Sequence, residues 1–235
     1  MARLDHRYLG YQLLQGYGLE IGALHEPAPI PPGVEVEYFD AISEIEAASL
    51  FPEIDCSRFV RVKYVGDLDS AGLKQIPSQS RDFVIANHVL EHLSNPIRAV
   101  EEMFRILKTG GIAVIAIPDK RFTFDSKRLE TSFEHLWQDY QSQTVVSDDS
   151  HYLDFLESAA PHVFMQDPTN LSHHVARARA RREHTHVWTS ETFRSFLYEA
   201  MKRLGIDAHA RYEICGDETR IEYFSAWQKR SSPSK

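Results

Sequence analysis

Cysteine is scarce: the 235 residues hold two, Cys56 and Cys215, far apart and with no C-x-x-C. That pattern argues against a disulfide framework or a cysteine-based zinc site and leaves two ordinary thiols. Long apolar runs are missing too. None approaches the ~20 residues of a membrane span, and the opening MARLDHRYLGYQLLQ carries charges where a signal peptide has its apolar core. A cytoplasmic protein with no membrane span is therefore expected. Positive charge is in deficit, 26 Lys and Arg against 34 Asp and Glu for a net charge of −8. Such a field repels phosphate backbones and anionic membranes, so nucleic acid is not the favoured partner. The G-x-G-x-x-G loop of nicotinamide enzymes is also absent; GYGLEIG (16–22) has one residue too many.

Hydrophobic residues make up 43% of the chain, enough for one sizeable core. Tyr8 to Gln15 reads as a short helix and GLEIG (18–22) as a compact strand ending in glycine. VEVEYFD (34–40) and FVRVKYVGD (59–67) alternate and end on aspartate, and DFVIAN (82–87) is a fourth apolar strand. Asn95 and Pro96 then open a helix with Ile97, Val100, Phe104 and Leu107 at helical spacing; TGG (109–111) closes it, and IAVIAIP (112–118) is strand again. This alternation, with near-continuous apolar strands, predicts an α/β fold whose mostly parallel sheet is covered on both faces, with its site beyond the carboxyl ends of the strands.

From 119 to 187 the pattern lapses into a polar, aromatic, histidine-rich stretch. It reads as a partly helical insertion, an acceptor-site or lid segment inside a single domain spanning 1–235. A core helix follows at 189–205, striped by Phe193, Phe196, Leu197, Ala200 and Leu204. HARYEIC and IEYFSAWQ, on either side of GDET, read as a closing antiparallel pair, and the tail KRSSPSK as disordered.

Glu20 and Gly22 end the first strand, Asp40 the second, Asp67 the third and Asn87 the fourth, and paired glycines precede the fifth. A glycine at the first strand's end lets backbone approach a ligand, and an acidic side chain ending the second can accept both hydroxyl protons of a ribose. Gly22 and Asp40 stand eighteen residues apart, near the ~20 of dinucleotide-type folds. In this order the features resemble a class I S-adenosylmethionine-dependent methyltransferase, over residues 18–118 and again from 189 onward. The resemblance implies a Rossmann-like domain with a seven-stranded, mostly parallel sheet, an antiparallel last strand and an insertion after strand 5. It also implies S-adenosylmethionine as cofactor, held by Glu20, Gly22, Ala23 and Asp40, with Asp67 and Leu68 at the adenine and Asn87 and His88 at the methionine end. Family members carry E-x-G-x-G-x-G in the first loop. Here the loop is EIGALHEPAPIPP, with Leu24 and Glu26 at the second and third glycine positions. EIG with its Pro-rich loop, PDKRFTFD and HVWT are similar to bacterial methyltransferases that accompany glycosyltransferases. That similarity implies O-methylation of a polar small molecule, a sugar of a surface-glycan pathway, free or nucleotide- or lipid-linked.

Methyl transfer from a sulfonium is an in-line displacement in which the protein aligns the nucleophile and takes the proton of a hydroxyl, for which neutral histidine is the usual base. His88 and His92 follow the fourth strand, and His135, His151, His184 and His186 lie in the insertion. HVLEH (88–92) matches H-x-x-E-H of one class of zinc peptidases. It begins at a strand end, however, and meets SNP directly after Leu93, which argues against the long helix such a peptidase needs. On a helix His88 and His92 would share a face with Glu91 beside them. The arrangement resembles metal-dependent methyltransferases of small-RNA 3′ ends and of quinone biosynthesis, which carry E-x-x-E-H here and a further histidine before the next core helix. That resemblance implies His88, Glu91, His92 and His184 as ligands of a divalent metal, with histidine for the first glutamate favouring Zn, Mn or Fe over Mg. His88, His92 and His186 are the catalytic candidates, as base or through the metal. The basic run Arg177, Arg179, Arg181 and Arg182, and Lys120, Arg121 and Asp125, offer contacts to a phosphate-bearing or polar acceptor. Two alternatives stay open: a metal-assisted methyltransferase of RNA 3′ ends, and a non-catalytic cofactor-binding subunit of a glycan assembly complex, which the altered first loop permits.

Overall fold

Seven strands form one sheet in the order β3-β2-β1-β4-β5-β7-β6 in a computed structural model that describes residues 5–230. They are β1 (Tyr17–Ile21), β2 (Glu35–Asp40), β3 (Tyr64–Val65), β4 (Arg81–Asn87), β5 (Leu107–Pro118), β6 (Ala208–Ile214) and β7 (Glu222–Lys229). Strands β1 to β5 pair in parallel, and β7 runs antiparallel to both β5 and β6. The expected Rossmann-like sheet, with its antiparallel last strand, is present. Helices α1 (Tyr8–Tyr11), α2 (Glu44–Leu50), α3 (Pro96–Ile106), α4 (Phe133–Ser142), α5 (Asp149–Ala159), α6 (His162–Gln166), α7 (Leu171–Ala180), α8 (Ser190–Leu204) and α9 (Gly216–Thr219) complete the regular structure. Among the described residues no helix is long and apolar enough to cross a membrane.

The central strands are near-continuously apolar because both faces are covered. Val84, Ala86, Ala113, Ile115 and Trp227 pack with Ile97, Val100 and Phe104 of α3 and Phe193, Phe196 and Leu197 of α8. The alternate residues Phe83, Ile85, Val114 and Phe224 pack with Tyr11 and Leu14 on the other side. Asn95 caps α3 by accepting the Arg98 amide at 3.1 Å, with Pro96 in the first turn. A reciprocal Thr189–Thr192 cap starts α8, and Gly205, at φ +68°, ends it in the left-handed region.

Three local expectations differ from the structure. The strand at 59–67 shrinks to Tyr64–Val65, because the Val60 amide bonds to Leu24 O (2.9 Å) instead of the sheet. TGG lies inside β5 and does not end the helix; α3 stops at Ile106, and Leu107 pairs at once with Arg81 before a bulge. The helix at Tyr8–Gln15 spans only Tyr8–Tyr11, preceded by a 3₁₀ turn at Asp5–Arg7. The expected closing antiparallel pair is present as β6 and β7, joined through GDET as a helical turn, α9. The expectation for the tail past Arg230 lies outside the described residues.

The segment 119–187 leaves and rejoins the sheet through one stem. Asp119 bridges Trp188 and the Lys120 amide bonds to Trp188 O at 2.9 Å. Between these ends α4 to α7 form, and Tyr152, Phe155, Leu156, Val175 and Ala178 make a small apolar cluster of their own.

Candidate active site

The order of strands reverses between β1 and β4, which opens a crevice beyond their carboxyl ends. The cleft there has a volume of about 1160 Å³, room for a nucleoside-sized cofactor together with a small acceptor. Glu20, Gly22, Ala23, Asp40, Leu68, Asn87 and His88 all line it. Asp67 does not; its carboxylate is held by Arg182 (Nη2–Oδ2 2.6 Å), which outweighs burial and keeps it below the ordinary carboxyl range.

Gly22 has φ +68°, and a Cβ there would come within 2.9 Å of the Val89 side chain. Leu24, at the second glycine position, takes φ +45°, a backbone that costs a non-glycine residue about 1 kcal/mol. Glu20 is buried, accepts the Ala28 amide at 2.9 and 3.1 Å and so anchors the Pro-rich loop; burial raises its carboxyl to about 7. Burial also raises Asp40, against the pull of the Ala41 and Ile42 amides and of Arg182. Asn87 donates from Nδ2 to Tyr11 OH at 3.0 Å, and its Oδ1 is buried without a partner. The glycine cradle, the acidic end of β2 and the orphaned Asn87 carbonyl suit a cofactor with a ribose and an amino-acid end.

HVLEH is not one helical face. His88 has φ +54° with its amide on Ala116 O (2.9 Å), and only Leu90–His92 form a 3₁₀ turn. Beyond it, Asp69 accepts the Ser94 and Asn95 amides at 3.0 and 2.9 Å, which turns the chain before α3 can begin. The two histidines therefore part. His88 Nε2 lies 2.6 Å from Glu222 Oε2, whereas Glu91, His92 and His184 bring one donor atom each within 4.8 Å of one another. His92 Nδ1 is 2.5 Å from Arg182 O and His184 Nδ1 is 2.6 Å from Asp125 Oδ2, leaving both Nε2 atoms available. Glu91 is 1% exposed, and neither of its carboxylate oxygens has a hydrogen-bond partner. A buried carboxylate without donors is stabilised by a cation, and imidazoles tied through the remote nitrogen are oriented as metal ligands are. Burial lowers His92 to about 4 despite Glu91. Burial would lower His184 as well, but the Asp125 hydrogen bond and Glu91 raise it.

Glu222 escaped sequence reasoning. It is fully buried at the start of β7 and accepts from Arg7 Nε and Nη2 as well as contacting His6 Nε2 at 2.6 Å. Arg7 and His88 outweigh its burial and hold its carboxyl well below the usual range. It lies 134 residues from His88 in sequence, and no local pattern marks it.

Other expected residues sit elsewhere. His186 is off the cleft, beside His135 and His151. Arg121 pairs with Asp119 at 2.7 Å, and Asp125 is buried between Arg128 and His184. Arg179 pairs with Asp149, Arg181 with Glu53 (2.6 Å) and Arg182 with Asp67, so these arginines are engaged within the protein, although Arg181 and Arg182 still line the cleft.

Residues 3–205 match a family described as a methyltransferase domain. The chain belongs to that family. Membership implies S-adenosylmethionine as the cofactor of this methyltransferase. A Mycolicibacterium smegmatis protein described as a "probable S-adenosylmethionine-dependent methyltransferase" is 28% identical over 131 residues, which cover 54% of this chain and 45% of the relative. The match thus spans less than half of that relative's length. The crystal structure of YcgJ from Bacillus subtilis superposes with a TM-score of 0.50 at 14% identity, covering 97% of the methyltransferase and 100% of YcgJ. A Rhodobacter sphaeroides structure described as a Zn-dependent alcohol dehydrogenase gives 0.53 at 15% identity, covering 98% and 91%. At such identities these two speak to the fold alone.

Proposed function

We propose that this methyltransferase acts on a hydroxyl of a polar small molecule, a sugar of a surface-glycan pathway, with the help of a divalent metal. The Glu91–His92–His184 group carries the reading: a buried, donorless carboxylate and two imidazoles, one of them on the cleft wall. Two histidines and one carboxylate suit Zn, Mn or Fe. When bound, S-adenosylmethionine supplies an electrophilic methyl group, and a divalent cation lowers the pKa of a hydroxyl near it.

The chain's own residues do the rest. Gly22 and Asp40 bind and orient the cofactor's amino-acid and ribose ends, and Leu68 and Asn87 flank it. His88 keeps a proton on Nε2 against Glu222 and presents the Nδ1 lone pair, so it can take the acceptor's proton there. Ala180 to Glu183, at and just past the end of α7, line the cleft from the side of the insertion. The sugar class is supported by the similarity of EIG with its Pro-rich loop, PDKRFTFD and HVWT to methyltransferases of glycan pathways.

The test is incubation of an acceptor pool with methyl-labelled cofactor, read by mass spectrometry, with and without EDTA. Label on a sugar hydroxyl, lost with EDTA and in Glu91→Gln by a factor of about 10², is the expected result. EDTA-insensitive transfer would remove the metal from the reading. Cofactor binding with no transfer to any acceptor would leave a binding subunit, and tight, salt-sensitive RNA binding would redirect the acceptor to RNA.

A further inference from the structure

The insertion holds a second group of histidines, away from the cleft. His135 on α4, His151 on α5 and His186 ahead of α8 come from three separate elements, and one ring nitrogen of each lies within 4.8 Å of the others. Their ring centroids stand 5.2, 5.2 and 5.8 Å apart.

Three features mark this triangle as a ligand site. His186 is 1% exposed, yet neither ring nitrogen has a hydrogen-bond partner; the Ser94 backbone acts on the ring without the alignment of a bond. A neutral imidazole carries one donor and one acceptor, and burying both unmet is costly enough to be rare. The other two rings are oriented. His151 Nδ1 is 3.1 Å from Thr185 O, which leaves Nε2 as the free atom, and His135 Nε2 is buried without a hydrogen bond, 3.2 Å from Asp139 Oδ2. Finally, the triangle is open on one side. A cavity of about 260 Å³ reaches His135 and His151 between Arg128, Ser132 and Asp154.

We propose that His135, His151 and His186 form a second metal site, distinct from the methyl-transfer cleft, which takes one Zn²⁺ through three imidazole nitrogens with its fourth position open to this cavity. Three nitrogen donors suit Zn²⁺ in a tetrahedral site with one exchangeable position, whereas Mg²⁺ and Ca²⁺ require oxygen ligands. Asp139 beside His135 supplies opposing charge, while Asp154 at the mouth is paired with Arg128 at 2.7 Å. One ion would tie α4 and α5 to the segment that also carries His184, and so clamp the insertion beside the cleft.

Full-length protein made without a polyhistidine tag is loaded with Zn²⁺, dialysed and analysed for metal content. The background is Glu91→Gln/His92→Ala, which disables the cleft group. This background is expected to keep about one equivalent, to melt higher with Zn²⁺, and to show the visible absorption of tetrahedral Co²⁺ after substitution. Adding His135→Ala/His151→Ala, two partly exposed positions that spare buried His186, is expected to abolish all three while circular dichroism stays unchanged. His151→Gln in the same background provides a milder change that should still weaken Zn²⁺ binding at least tenfold. No retained Zn²⁺ in the background, or retention that neither histidine change reduces, would overturn the proposal. The cleft reading fails separately, when wild type holds no more metal than the background.

Discussion

Asp40 ends β2 on the cleft wall, where burial raises its carboxyl and the two following amides steady it. Hydrogen bonds to a charged acceptor contribute about 1.5–3 kcal/mol, so Asp40→Ala should weaken S-adenosylhomocysteine binding by roughly one to two orders of magnitude in calorimetry. Unchanged affinity would take Asp40 out of the site. Asp125 acts one step further back. It is 1% exposed and fixes His184 through Nδ1 at 2.6 Å, the way a supporting carboxylate orients a metal-bound imidazole. Asp125→Asn should therefore lower metal affinity at the Glu91–His92–His184 group by about 10–100-fold with little change in cofactor affinity, as read by competition with a metal indicator. Equal affinity in the variant would argue that the group does not bind metal.

The element that matters most for access is the end of α7. Arg182 follows it with φ +50°, its carbonyl on His92 Nδ1 and its guanidinium on Asp67. Arg181 reaches Leu50 O at 3.1 Å and stacks on Phe51, next to α2. The insertion is thus latched to the β2 and β3 side of the cleft. The Arg182–Asp67 pair is about one-third exposed on each side, so Arg182→Ala should change stability by under about 1 kcal/mol. Its effect should fall on the latch: faster hydrogen exchange over 171–183 and faster cofactor release. Exchange identical to wild type would show that the latch does not hold α7 down.

For the whole molecule, Asp119 joins the sheet to the returning insertion. It is fully buried and accepts from the Ser190 amide and hydroxyl at 2.9 and 2.7 Å and from Arg121. A Cβ at Gly216 would lie 2.5 Å from its carboxylate, so α9, α8 and the stem all meet there. Burial alone would raise Asp119, but Arg121 and Ser190 outweigh it and hold the carboxyl at about 2, below its usual 3.8. A depressed carboxyl stabilises the fold above its unfolded value and loses that contribution as pH falls through the folded one. A shift of this size is worth about 2 kcal/mol. Asp119→Asn should accordingly lower Tm near neutral pH, and the gap to wild type should narrow between about pH 4 and pH 2. A gap that stays constant down to about pH 3 would refute this role.

The order of apolar strands, the glycine ending β1, Asp40 ending β2 and the Asn95–Pro96 helix start were all legible in the sequence, because each depends on local spacing and chain direction. The two-residue β3 and the continuation of β5 through TGG were not, since partners in other strands decide where a strand stops. The same holds in the cleft. Residue type and position picked out His88, Glu91, His92 and His184, yet a left-handed backbone at His88 and the pull of Glu222, 134 residues away, separated the first from the rest. His186 looked like one more catalytic candidate, and it faces His135 and His151 because α4 and α5 fold back against the segment ahead of α8. Local sequence determined the frame and the supply of ligating atoms; which atoms meet was decided by tertiary packing, since the contacts join residues whose separation in sequence carries no geometric information.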